Sequence, residues 1–291
     1  MKLVISRTAS FRKLQRNIGS ATYRLNTIVV GLTYVADGGD IKGNLPVTWT
    51  KPPTKDKAKQ VSDQARIFAC TSALALAFDT FDQYLRDIAK EEWLGFGHEA
   101  IEIATKENTR PSSKGGDYSF AERAEALLSD LAIDNTVLVA GIELFSKWRN
   151  FVIHSSDREP NLDNKFEKIL VNQKSHFYDH YSHLNIQLAL DNFYAKKSPV
   201  LKEATSLLAI VQNLSRTIDE AAIRRKASCE DDMIVAVKTL LSAYFNNSRR
   251  KSTAWGEITA AWQGSEERKL EQLKKMTEKI GSTETKKGVS A

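Results

Sequence analysis

The chain is poor in the residues that staple or stiffen small proteins. Two cysteines, Cys70 and Cys229, among 291 residues exclude a disulfide framework and a four-thiolate zinc site. Six prolines leave long stretches free to be helical, and no run approaches the roughly 18 apolar residues of a membrane span. The opening MKLVISRTASFRK is broken by Arg7 before it can form the apolar region of a secretory leader, so the expected location is cytoplasmic and away from membranes. Charge of one sign is also scarce. With 42 Lys+Arg against 36 Asp+Glu, the net charge is +6, a bias that permits polyanionic partners without demanding them. A glycine-rich phosphate loop, a GxSxG elbow, an HExxH pair and a paired-cysteine signature are all missing. Nucleotide hydrolases, α/β-hydrolases and zinc proteases therefore lose their usual support.

What is present is helical periodicity. Phe11, Leu14, Ile18, Ala21, Leu25, Ile28, Leu32 and Val35 recur at alternating threes and fours, the stripe of one long helix over 10–37. A proline- and glycine-bearing loop follows, with a short strand possible at 45–50. A second long helix, 59–93, has a broad apolar arc that includes Leu74, Phe78, Phe81 and Leu85 and must be covered on more than one side. The segment 106–117 reads as loop. Helices are expected at 119–131, 135–153 (capped by Asp134 or Asn135), 162–173, 175–195, 199–226, 230–246 and 252–281. The fold class is thus all-α, a helical bundle of long antiparallel helices with additional C-terminal helices. The expected divisions are an N-terminal helix and loop (1–58), a helical core (59–195), C-terminal helices (196–281) and a disordered tail (282–291). The basic clusters Arg224-Arg225-Lys226 and Arg249-Arg250-Lys251 fall where helices end, which the helix dipole favours. Trp255 and Trp262 suit a bundle edge or a surface for a regulatory protein partner.

Two constellations carry chemistry. The first is Lys147-Trp148-Arg149-Asn150-Phe151-Val152-Ile153-His154, in which a cation, an amide and an imidazole close an apolar helix just before a loop. An imidazole transfers protons near neutral pH, and a guanidinium grips a phosphate through two parallel hydrogen bonds. Those are the parts needed to cleave RNA without a metal or other cofactor.

The string RNFVIH, in the middle of an all-α chain, resembles the signature motif of the HEPN superfamily, an arginine followed by a polar residue and then a histidine with four to six residues between arginine and histidine; here there are four, with Asn150 at the polar position. Members are helical bundles, many of them metal-independent endoribonucleases found as toxins, abortive-infection proteins or antiviral effectors. Many dimerise so that two motifs share one cleft. The resemblance covers roughly 59–195. It implies Arg149 as phosphate-binding cation, His154 as general acid or base, and Asn150 as the residue that orients phosphate or histidine. It also implies an acid on an earlier helix, for which Asp79 or Asp82 is the best counterpart. RNA and a second copy are the implied partners. Asp82 also stands four residues before Arg86, so an ordinary intrahelical ion pair explains it equally well.

At 100° per residue, Arg149 and His154 lie about 140° apart around a straight helix. Either His154 already sits in the turn that follows, or Arg149 reaches across from the other protomer, as the family dimer implies. The alternative function is a non-catalytic helical dimerisation protein. The second constellation is His176, His180 and His183, spaced to share one helical face. It could chelate zinc or, with Tyr178 and Tyr181, contact RNA; its plain alternative is a polar stripe, and no metal is expected.

Overall fold

The computed structural model describes residues 6–39, 50–105, 117–154 and 159–227 together with Asp232 and Ala236, and His154 by its backbone alone. Two compact units divide the chain, Ser10–Ala221 and a second made of Met1–Ala9 with Ala222–Ala291. The described part of the second unit holds the last turn of a helix, which carries Arg224, Arg225 and Lys226. Its end is closed by Ala227 N–H donating to the Ile223 carbonyl at 2.8 Å. The possible strand at 45–50 apart from Thr50, the helix expected at 230–246 apart from Asp232 and Ala236, the helix expected at 252–281 with both its tryptophans, Cys229 and the tail lie outside the described residues, as does most of the 106–117 loop.

Every regular element among the described residues of the first unit is helical, as the periodicity requires. Helix α1 (Ala9–Ala36) and helix α2 (Lys55–Ala89) run in opposite directions. Ser10 reaches Glu91 at 3.4 Å and Lys13 reaches Asp87 at 3.3 Å, while the Phe11 and Tyr84 rings meet edge to face at 6.3 Å. The α1 stripe is covered only from Phe11 to Leu25. Ile28, further along it, is 46% exposed, while Leu32 and Val35 beyond it are half-buried. At the start of α2 Thr54 accepts the Lys57 N–H, the N-cap arrangement expected for threonine.

After a 3₁₀ turn at Glu92–Leu94 comes α3 (His98–Thr105), a short helix the glycine-rich approach concealed. Then follow α4 (Phe120–Asp130), α5 (Thr136–His154) and α6 (Asn164–Asn172). Helix α5 is the hub. It packs on α2, α4 and α6, and Val139, Ala140, Ile142, Leu144, Phe145 and Trp148 are all fully buried on it. Trp148 stacks on Phe145 at 5.9 Å and donates its indole N–H to the Lys197 carbonyl at 2.8 Å, so its one polar atom is satisfied inside the core. This packing fixes the register of Arg149 and Asn150 immediately after it.

The single helix expected over 175–195 is two: α7 (Lys174–His180) and α8 (Ile186–Tyr194). Ser182 and His183 between them adopt left-handed backbone, φ 52° and 58°, and Asn185 restarts the chain by capping the Leu188 N–H. Helix α9 (Leu201–Lys226) begins after Pro199 rather than at it. There the Glu203 carboxylate accepts the Val200 N–H at 2.7 Å. No helix among the described residues is long and apolar enough to cross a membrane.

Candidate active site

Four of the five residues read from the motif come together. Asp79 and Asp82 on α2 and Arg149 and Asn150 on α5 line one cleft of about 590 Å3, with the entry to α4 (Asp117, Tyr118, Ser119) as its third wall and Arg86 and Lys147 on its rim. The α4 entry is held by a reciprocal capping box: Ser119 Oγ accepts the Glu122 N–H at 3.2 Å, and the Glu122 carboxylate accepts the Ser119 N–H at 2.7 Å. Both ends of that turn are therefore fixed.

Arg149 is loosely held. Its Nη1 donates to Asn150 Oδ1 at 3.0 Å, its Nη2 lies 3.6 Å from Asp79 Oδ1, and its Nε is buried with no hydrogen-bond partner among the described residues. A buried donor left unmade is costly, and a ligand oxygen in the cleft would satisfy it. The Asp79 side chain is 70% exposed, so its pair with Arg149 is worth little and gives way readily to a stronger anion.

Asp82 is placed differently. One carboxylate oxygen accepts Arg86 Nε at 2.9 Å, which is the intrahelical pair anticipated from spacing. The other accepts from Arg123. Arg123 is fully buried, and its Nε and Nη2 donate to the Ala104 carbonyl at 2.8 and 2.5 Å. Burial pulls the Arg123 guanidinium below its ordinary pKa, and hydrogen bonding to Asp82 pulls it back up. The α2 acid nearer to Arg149 is thus Asp79, while Asp82 serves as counter-ion to two arginines. Sequence reasoning missed Arg123, although an arginine among Ala121, Ala124, Leu127 and Leu128 on the buried face of α4 was itself a signal that an acid must be near.

Helix α5 remains helical through His154, so the idea that His154 already sits in a turn is not met. The backbones of Arg149 and His154 leave the helix about 140° apart. The His154 side chain lies outside the described residues.

The histidine stripe is broken. His176 and His180 stack at 4.5 Å on α7, and His180 Nδ1 lies 3.0 Å from the His176 carbonyl. His183, in the turn, packs instead against Tyr178, ring centroids 4.8 Å apart and tilted by 47°. Burial, then the neighbouring His180, lowers the His176 pKa. Among the described residues no group of three or more His, Cys, Asp or Glu is placed to hold a metal ion. Tyr178 is half exposed, but Tyr181 is buried in contact with Phe177 and is removed from any role in stacking on bases.

No family model, no curated protein and no solved structure matches the chain. The site must be argued from its own geometry.

Proposed function

We propose that the protein is a metal-independent endoribonuclease of HEPN type, working as a homodimer in antiviral defence or toxin-like growth arrest. The observation that carries this reading is the meeting of Arg149, Asn150 and Asp79 in one cleft with Arg149 Nε unspent. A phosphodiester entering there replaces the weak Asp79 contact with a charge-assisted bond to the guanidinium. Asn150, already against Arg149, orients it. His154 then acts on the 2'-hydroxyl proton or on the leaving 5'-oxygen. The 2'-oxygen attacks the adjacent phosphorus, the bond to the 5'-oxygen breaks, and the products carry a 2',3'-cyclic phosphate and a 5'-hydroxyl. Arg149 stabilises the charge that builds on the phosphorane. Because the backbone positions of Arg149 and His154 lie about 140° apart around α5, this reading takes the two from different chains of the dimer.

A second reading, a non-catalytic dimerisation protein, draws on the same divergence together with the contacts Arg149 already makes to Asp79 and Asn150. RNA cleavage in excess EDTA separates the two. The ribonuclease reading expects chelator-resistant cleavage by the wild type and a loss on the order of 10²- to 10⁴-fold in His154→Ala, as for removal of a general acid or base. Equal rates in wild type and His154→Ala would end it.

A further inference from the structure

The role of Asp82 has a consequence for its neighbour. Arg123 is wholly buried, fixed twice to the Ala104 carbonyl and directed at Asp82. A buried cation of this kind must be matched by an anion, and Asp82 is that match. The negative charge of Asp82 is therefore already neutralised from behind. Yet the same carboxylate also takes Arg86 Nε at 2.9 Å, so the Arg86 charge is in excess over the acids that hold it. The run Ala104–Arg123–Asp82–Arg86 acts as a strut: it grips Arg86 by Nε alone and leaves both Nη groups without a hydrogen-bond partner among the described residues. Arg86 lines the same cleft as Arg149, and 43% of its side chain remains exposed.

Here we infer that Arg86 is a second anion-binding cation, held in aim by buried Arg123 through Asp82, and that the cleft takes a ligand with two successive phosphates. Arg149 holds one phosphate and Arg86 the next. The ligand class is an oligonucleotide chain rather than a mononucleotide or a free phosphate. A cleft of about 590 Å3 has room for more than a single phosphate group, and Lys147, which also lines it, is already paired with Glu143 at 3.5 Å, which leaves Arg86 as the second cation. A solitary surface ion pair between Asp82 and Arg86 would need none of this support from behind. This subsite deepens the ribonuclease reading by setting the minimum substrate, and it rests on that reading only for the claim that the chain held there is RNA.

The test is binding, with cleavage silenced by His154→Ala. Dissociation constants for a fluorescein-labelled decaadenylate RNA are measured at several salt concentrations in the full chain, and AMP serves as a competitor bearing one phosphate. Arg86→Ala should weaken the RNA about tenfold and lower the slope of log Kd against log salt by about 0.7, the contribution of one phosphate contact to a single strand. It should leave AMP binding unchanged. Arg86→Lys should restore the slope, whereas Arg149→Ala should weaken both ligands. The subsite is overturned if Arg86→Ala leaves the RNA slope as it was, or weakens AMP as much as RNA. Circular dichroism confirms that each variant is folded, and Arg86→Gln supplies a second neutral variant. The readout contains no chemistry, so a chain that binds in this pattern without ever cutting RNA overturns the ribonuclease reading and leaves the two-phosphate subsite standing.

Discussion

Two arginines thirty-seven positions apart, Arg86 and Arg123, both on Asp82, show how differently one side chain can be used. Arg123 is sealed and saturated; Arg86 is gripped by one nitrogen and open at the others. Asp82→Ala would strand the Arg123 charge in the core, and breaking a buried pair in this way costs about 3 kcal/mol. The measurement is the unfolding free energy from urea titration, and Asp79→Ala, at an exposed and loosely paired acid, should change it by less than about 0.5 kcal/mol. At Arg149 a point charge cannot replace the planar fork. Arg149→Lys should therefore lower kcat/KM for RNA by about tenfold or more while leaving the midpoint untouched. Glu203 gives a pH dependence. Burial raises its pKa, against the opposing pull of the bonds from Val200 and Asn192. The folded chain thus holds that proton at pH values where the unfolded chain has released it. Stability should fall as pH rises from the ordinary carboxylate range through the raised value, and Glu203→Gln should remove that part of the slope in midpoint against pH. The Arg149, Asn150 and Asp79 grouping was legible from the motif. Arg123 was not, since a charged residue on a buried helix face declares only that a partner exists, and the partner lies on α2, 41 positions away.

At the scale of the element, the hairpin of α1 and α2 and the hub α5 follow from apolar periodicity, because a stripe of threes and fours has one way to be buried. Two elements did not follow. The eight residues of α3 are too few for a periodic signal, and the break between α7 and α8 depends on Ser182 and His183 entering left-handed backbone, for which neither residue type is a strong marker. That break is what separates His183 from His176 and His180. Helix α4 begins at the wall of the cleft, and its capping box fixes that wall. Ser119→Ala should cost about 1 kcal/mol of stability and should raise KM for RNA more than it lowers kcat, because the loss is of positioning at the cleft wall. Steady-state kinetics beside a denaturant titration checks both halves of that expectation.

At the scale of the whole molecule, α5 is helical to its last residue, His154, and five residues carry the backbone about 140° around the axis between Arg149 and His154. The proposed ribonuclease therefore needs two chains, with Arg149 from one protomer and His154 from its partner. Activity should then fall on dilution through the dimer dissociation constant. The most direct measurement is the RNA cleavage rate of an equimolar mixture of Arg149→Ala and His154→Ala proteins, each inactive alone, after subunit exchange and in excess EDTA. Random exchange makes half of the dimers mixed, and each mixed dimer has one of its two sites intact. The mixture should recover about one quarter of the wild-type rate. A rate no higher than the sum of the two inactive proteins, with mixed dimers verified by mass, would contradict the shared site.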